Sequence, residues 1–205
     1  PATLNSEWLL EQGINKIKRH TPHSVTTPGA VDAWYQLNRD HGSMDLARLL
    51  APAIAYAEDG YPITQRVSTD FLANVHILNE AGRAAFTKDG KAIPLGARHS
   101  QPLLANTLRK IAEKGRAGFY EGDVANDILT TLQAVGGVHN QDDLDAAIGD
   151  YVTPIHSNFR GQDIWECPPN GQGVIALLLL NMLSEIDSFG DNPISTERMH
   201  YEIEA

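Results

Sequence analysis

The sequence predicts a mostly helical chain of the α+β class, with one small β element near its C-terminal end. Three observations carry that prediction. Apolar residues recur at helical spacing through most of the 205 residues. Helix-starting and helix-stopping residues punctuate those runs. Only the stretch YVTPIHSNFRGQDIWECPP, residues 151–169, alternates in the manner of strands.

In VTTPGAVDAWYQLNRDHG, Thr27 is placed to cap a helix, Pro28 suits its first position and Gly42 ends it. Ser43 or Asp45 starts the next helix, LARLLAPAIAYAEDG, which Pro52 is expected to kink or break. Thr64 opens a longer amphipathic segment running toward Gly82, with Val67, Phe71, Val75 and Leu78 at helical spacing. A turn-rich stretch follows, TKDGKAIPLGARHS, in which Asp89-Gly90 is a strong turn signal. Ser100 and Pro102 introduce LLANTLRKIAEKG, with Leu104, Leu108 and Ile111 as its apolar stripe. DVANDILTTLQAVGG forms another helix ending at Gly136, and Asn140 caps QDDLDAAI. Two strands then turn at Arg160-Gly161. A helix runs from the following glycines through Ile186, and Ser195 starts a last one with Glu197 and Arg198 in its first turn. No repeat, low-complexity tract or linker interrupts the chain, so residues 1–205 read as a single helix-rich piece. It starts at Pro1 and stops at Ala205 inside a helical pattern, which reads as part of a longer protein.

Composition excludes several classes. Apolar content of 42% and charged content of 20% are ordinary for a folded domain. A net charge of -10 disfavours nucleic acid as a partner, because a phosphate backbone demands a basic face. The single cysteine, Cys167, has no internal disulfide partner and no Cys-x-x-Cys motif exists for zinc or redox work. No apolar run approaches the length of a membrane span. The compartment stays open between cytoplasm and periplasm.

The stretch WECPPNGQGVIA, residues 165–176, invites a nucleotide reading. A P-loop needs lysine and a hydroxyl after its last glycine, and Val174 and Ile175 stand there. A dinucleotide loop needs a third small position, where Ala176 stands, and an acidic residue at a second strand's end. Glu185 and Asp187 fall instead in or at the end of the following helix. His20 and His23 are separated by Pro22, which argues against a helix presenting both to a metal, and no His-Glu-x-x-His occurs. Asp142, Asp143 and Asp145 lack the alternating oxygen ligands of a calcium loop and read as first-turn acids. No Gly-x-Ser-x-Gly is present. The residues supply no complete catalytic set, and no metal or cofactor site is assigned.

Five blocks together resemble the γ-glutamyltranspeptidase family, in its order and spacing. They are SVTTPGAVDAWYQL, LLAPAIAYAEDGYPIT, LANTLRKIAEKGRAGFYEGDVANDI, GGVHNQDDLDAAIGDYVTPIHSNFRGQDIWECPPNGQG and the helix after it. The resemblance covers the chain from about Ser24 onward. It implies the helical part of the large subunit of an αββα N-terminal-nucleophile hydrolase, made as a precursor that cleaves itself into two subunits. It also implies a small-molecule amide substrate, with glutathione the family's example, and the small subunit of the same precursor as partner. The family's nucleophile is a threonine at the small subunit's new N-terminus. Its place would lie beyond residue 205, and the arginine that grips the substrate carboxylate would lie just before Pro1. Thr26-Thr27 is followed by Pro28 and does not match the nucleophile motif. No catalytic residue therefore transfers to this chain.

One motif departs from the family pattern. Where typical transpeptidases carry Pro-Pro-Pro-Ser-Ser-Gly-Gly, this chain has Pro168-Pro169-Asn170-Gly171-Gln172-Gly173. The departure resembles the acylase and amidohydrolase relatives, which leaves another small amide open as substrate. Asn170 and Gln172 are the candidate substrate-binding residues, on a sharp strand-to-helix turn whose glycines allow close backbone packing. A non-catalytic helical binding module remains the reading from a different class.

Overall fold

A computed structural model of the chain describes residues 1–186 and 190–205. Asp187 lies outside the described residues. The chain divides into two compact units, Pro1–Gly149 and Asp150–Ala205, where the sequence read as one piece.

The first unit is helical. Its elements are α1 (Ser6–Glu11), α2 (Ala30–His41), α3 (Leu46–Asp59), α4 (Gln65–Asn74), α5 (Glu80–Phe86), α6 (Pro102–Lys114), α7 (Ala117–Tyr120), α8 (Gly122–Ala134) and α9 (Gln141–Asp145). Short ladders join β1 (Tyr61–Pro62) to β4 (Arg98–His99) and β2 (Thr87–Lys88) to β3 (Lys91–Ala92). The β2–β3 turn is Asp89-Gly90, both in the left-handed region at φ 52 and 71, as a tight hairpin turn requires. Helix α3 packs on α6, α6 on α7, and α7 on α8. Their shared core is Val31, Ala57, Ala105, Leu108, Ile111, Tyr120, Ala125, Leu129 and Leu144.

Several sequence expectations shift against this frame. Helix α2 is capped by Gly29 rather than Thr27. Pro28 lies outside it, with its carbonyl accepting the Tyr120 hydroxyl at 2.7 Å. Pro52 does not break α3, which runs unbroken from Leu46 to Asp59. Leu46, Leu50 and Ile54 pack against the core on both sides of the proline and hold the helix through the missing N–H. The segment from Thr64 to Gly82 is two helices, not one. A 3-10 turn, Val75–Ile77, separates them, and Asn79 caps the second by accepting the Gly82 N–H at 2.8 Å. On α6 the buried stripe is Ala105, Leu108 and Ile111, while Leu104 is 43% exposed. The small alanine, not the leucine, meets the neighbouring helix.

The second unit holds the predicted hairpin. Strands β5 (Ile155–Phe159) and β6 (Gln162–Glu166) pair antiparallel around Arg160-Gly161, at φ 53 and 81. Asn158 braces the turn, accepting the Gly161 N–H at 3.1 Å and donating to Asp163 at 2.8 Å. His156 stacks on its cross-strand neighbour Trp165 with ring centroids 4.3 Å apart. Helix α10 (Gly173–Ser184) packs against both strands, and the buried Ser157 hydroxyl donates to Asn181 on it. Helix α11 (Thr196–Glu204) is capped by Ser195, which accepts the Arg198 N–H at 3.2 Å.

Candidate functional site

The turn from β6 into α10 carries both candidate residues. Prolines 168 and 169 end the ladder because they have no N–H to extend it. Asn170 and Gln172 are both exposed. Gln172 is the residue before α10, and its carbonyl accepts the Ile175 and Ala176 N–H groups at 2.9 and 3.4 Å. Its side chain makes no capping bond and is free to face solvent or a ligand. Among the described residues the Asn170 side chain has no hydrogen-bond partner, so its amide is equally available. Cys167 is exposed beside them.

The glycines of this turn divide their labour. A Cβ on Gly173 would stand 2.5 Å from Glu166 Oε2 and 2.8 Å from Glu166 Cβ. Only glycine lets the end of β6 lie this close to the start of α10. The close approach is therefore to a side chain rather than to backbone. Gly171 faces open space, with nothing within 4 Å of a Cβ placed there. The Glu166 side chain lies beside the first residue of α10.

A second polar cluster, in the first unit, escaped the sequence reading. The Asp32 carboxylate, with its side chain 2% exposed, accepts from Arg116 Nε at 2.8 Å, Gln36 Nε2 at 2.6 Å and the Gly149 N–H at 2.7 Å. Arg116 Nη2 donates to the carbonyls of Leu144, Asp145 and Ala147 at 3.2, 3.1 and 3.3 Å. The guanidinium lies over the Tyr120 ring, 4.4 Å from its centroid. Burial pushes the Asp32 pKa upward, but the bonds from Gly149, Gln36 and Arg116 outweigh it and hold the carboxyl below the usual range. Every strong donor and acceptor here faces another protein group. The cluster fastens residues 144–149 to α2 and has no capacity left for chemistry. The sequence signal was Asp32 directly beside the buried Val31 in the first turn of α2.

The acidic group after Asn140 is also structural. Asn140 accepts the Asp143 N–H at 3.1 Å and Asp143 accepts the Asn140 N–H at 3.0 Å, a reciprocal capping box. Asp143 further accepts the Ala2 N–H at 2.7 Å. Among the described residues no group of three or more His, Cys, Asp or Glu is placed to hold a metal ion. No helix among them is long and apolar enough to cross a membrane.

Comparison with known proteins places this arrangement in context. The family model described as gamma-glutamyltranspeptidase matches residues 1–205. The chain is 38% identical to a glutathione hydrolase-like YwrD proenzyme of Bacillus subtilis (strain 168), over 89% of this chain and 35% of that protein. It is 30% identical to an oxamate amidohydrolase proenzyme of Klebsiella pneumoniae, over 82% of this chain and 34% of the relative. Among solved structures, a cephalosporin acylase from Bacillus halodurans superposes with a TM-score of 0.90 at 31% identity, over 98% of this chain and 39% of that one. The gamma-glutamyltranspeptidase of Helicobacter pylori gives 0.80 at 27% identity, over 86% of this chain and 52% of that one. The chain thus spans about a third of the length of the curated relatives it matches. With its helix-rich α+β architecture and a family match along its whole length, this chain belongs to the gamma-glutamyltranspeptidase family.

Proposed function

We propose that this chain is the helix-rich part of the large subunit of an N-terminal-nucleophile amidohydrolase. The parent enzyme cleaves a small amide and passes its acyl group to water or an amine. One observation carries the reading: a family match along the whole chain. The nucleophile is then a threonine outside the chain, exposed when the precursor cleaves itself. Its free α-amine, with a pKa of about 8, takes the hydroxyl proton as base. Donors aimed at the developing oxyanion stabilise the tetrahedral intermediate. In the same reading the small subunit of that precursor is the partner, and the isolated chain is inactive. Asn170 and Gln172 contribute a substrate contact, offering both donors and acceptors to a polar amide.

A second reading within this class concerns the substrate. The 170–173 turn lacks the paired serines of typical transpeptidases. This turn favours an acylase-like amide over a γ-glutamyl one. The test expresses the full-length precursor, measures the masses of its chains and compares turnover of γ-glutamyl anilides with other small amides. A light chain beginning in Thr or Ser supports the mechanism, and a precursor that never divides refutes it. Efficient glutathione cleavage would overturn the acylase reading alone.

A further inference from the structure

We propose that Asn170 is a site of spontaneous deamidation, a chemical modification built into the turn between β6 and α10. Asn170-Gly171 is the one Asn-Gly pair in the sequence. The reaction begins when the Gly171 backbone N–H gives its proton to solvent base. The nitrogen attacks Asn170 Cγ and forms a new C–N bond. The Cγ–Nδ2 bond breaks and ammonia leaves. Water then opens the five-membered succinimide at either carbonyl, giving aspartate or isoaspartate. The only co-reactant is water.

Two features usually prevent this reaction in folded chains: a following side chain that blocks the attack, and hydrogen bonds that hold the backbone or the amide. Neither operates here. Gly171 has no side chain, and the space around its missing Cβ is open. Both residues are exposed, outside helix and strand. Among the described residues the Asn170 amide has no partner, and the Gly171 N–H donates to none. The other asparagines are each followed by a residue with a side chain, and several are also held by hydrogen bonds. Asn79 and Asn140 cap helices and are followed by Glu80 and Gln141. Asn158 is tied to Gly161 and Asp163 and is followed by Phe159.

The product replaces a neutral amide with a carboxylate, and isoaspartate also lengthens the backbone by one atom. Either change alters the charge and shape of the turn. Its effect on turnover rests on the proposed substrate role of Asn170, whereas the modification itself does not.

The test incubates the full-length protein at mildly alkaline pH and follows the peptide containing Asn170 by mass spectrometry, with a separation that resolves aspartate from isoaspartate. Acid forms should accumulate at Asn170 ahead of every other asparagine. Gly171→Ala should slow this by about an order of magnitude, because a methyl group hinders the attack. That variant is sterically allowed, since Gly171 has ordinary φ and free space. An Asn170 that stays amidated while the same peptide, freed by digestion, deamidates would overturn the proposal. Deamidation that leaves kcat and KM unchanged, matched by an equally silent Asn170→Asp, would uphold the modification and refute the substrate contact.

Discussion

Replacing Asp32 with alanine tests whether residues 144–149 are held by one charge cluster. Three donors converge on the carboxylate: Arg116 Nε, the Gln36 amide and the Gly149 N–H. In the variant, Gln36 keeps the Gly149 carbonyl at 2.9 Å and Arg116 keeps its three carbonyls. The Arg116 Nε and the Gly149 N–H lose their partner. Removing one member of a buried pair costs about 3–5 kcal/mol. Because the Arg116 side chain is 21% exposed, water recovers part of that, and the lower end applies, about 3 kcal/mol. At about 1.4 kcal/mol per decade, amides whose exchange needs this segment to open should exchange roughly a hundredfold faster. Hydrogen exchange read by mass spectrometry reports this at the N–H groups of Ala147 and Ile148, which bond within the segment. Their rates should rise while those of α10 do not. Asp32→Ala and Arg116→Ala together should cost less than the sum of the two. Additive effects, or exchange within threefold of the parent chain, would refute the idea that this cluster is the clasp.

Other perturbations follow from the same geometry. Gly118→Ala places a Cβ 2.1 Å from the Lys110 carbonyl oxygen, so α7 must shift off α6, at a cost of about 3 kcal/mol in urea unfolding. Leu108→Ala empties part of the core and should cost about 2–5 kcal/mol by the same measurement. His99 is buried among Tyr61, Phe71 and Phe86, and burial pushes its imidazole below the ordinary value. The unfolded chain therefore takes up the proton first: stability is full above about pH 6.5 and falls as pH drops toward the depressed folded value, and His99→Phe should flatten that slope in a pH series of melts. Ile175, Leu178 and Met182 on α10 are 59, 51 and 50% exposed, so an isolated chain should self-associate, and changing all three to Gln should shift its sedimentation toward monomer.

What the sequence made legible was local chemistry. The hairpin turn at Arg160-Gly161, the Asn140 cap and the Ser195 cap each depend on residues within four positions of one another, and each stands where expected. The misplaced features depend on distant partners. The start of α2 is set by a hydroxyl 92 residues away, where Tyr120 holds the Pro28 carbonyl. Pro52 stays helical because packing on both sides of it outweighs a local preference for breaking. Leu104 looked like core because helical spacing cannot tell the two edges of an apolar stripe apart, and the neighbouring helix chose Ala105.

The candidate site divides along the same line. The mismatch of 170–173 with a phosphate loop was readable from Val174 and Ile175. That Glu166 folds back over Gly173 was not, because six residues of irregular chain separate a glutamate that reads as an ordinary strand end from the glycine that needs it there. The physical content of this turn then rests on two glycines with opposite tasks. Gly173 is required because a side chain is already in its space, and Gly173→Ala must push the Glu166 carboxylate off the helix end. Gly171 fills no tight space, so only its backbone chemistry or a ligand can set it apart from alanine. A Gly173→Ala variant that loses activity and recovers it with Glu166→Ala would tie function to the shape of the turn. A Gly171→Ala variant that keeps its initial activity while its turnover changes more slowly on storage would tie that change to Asn170.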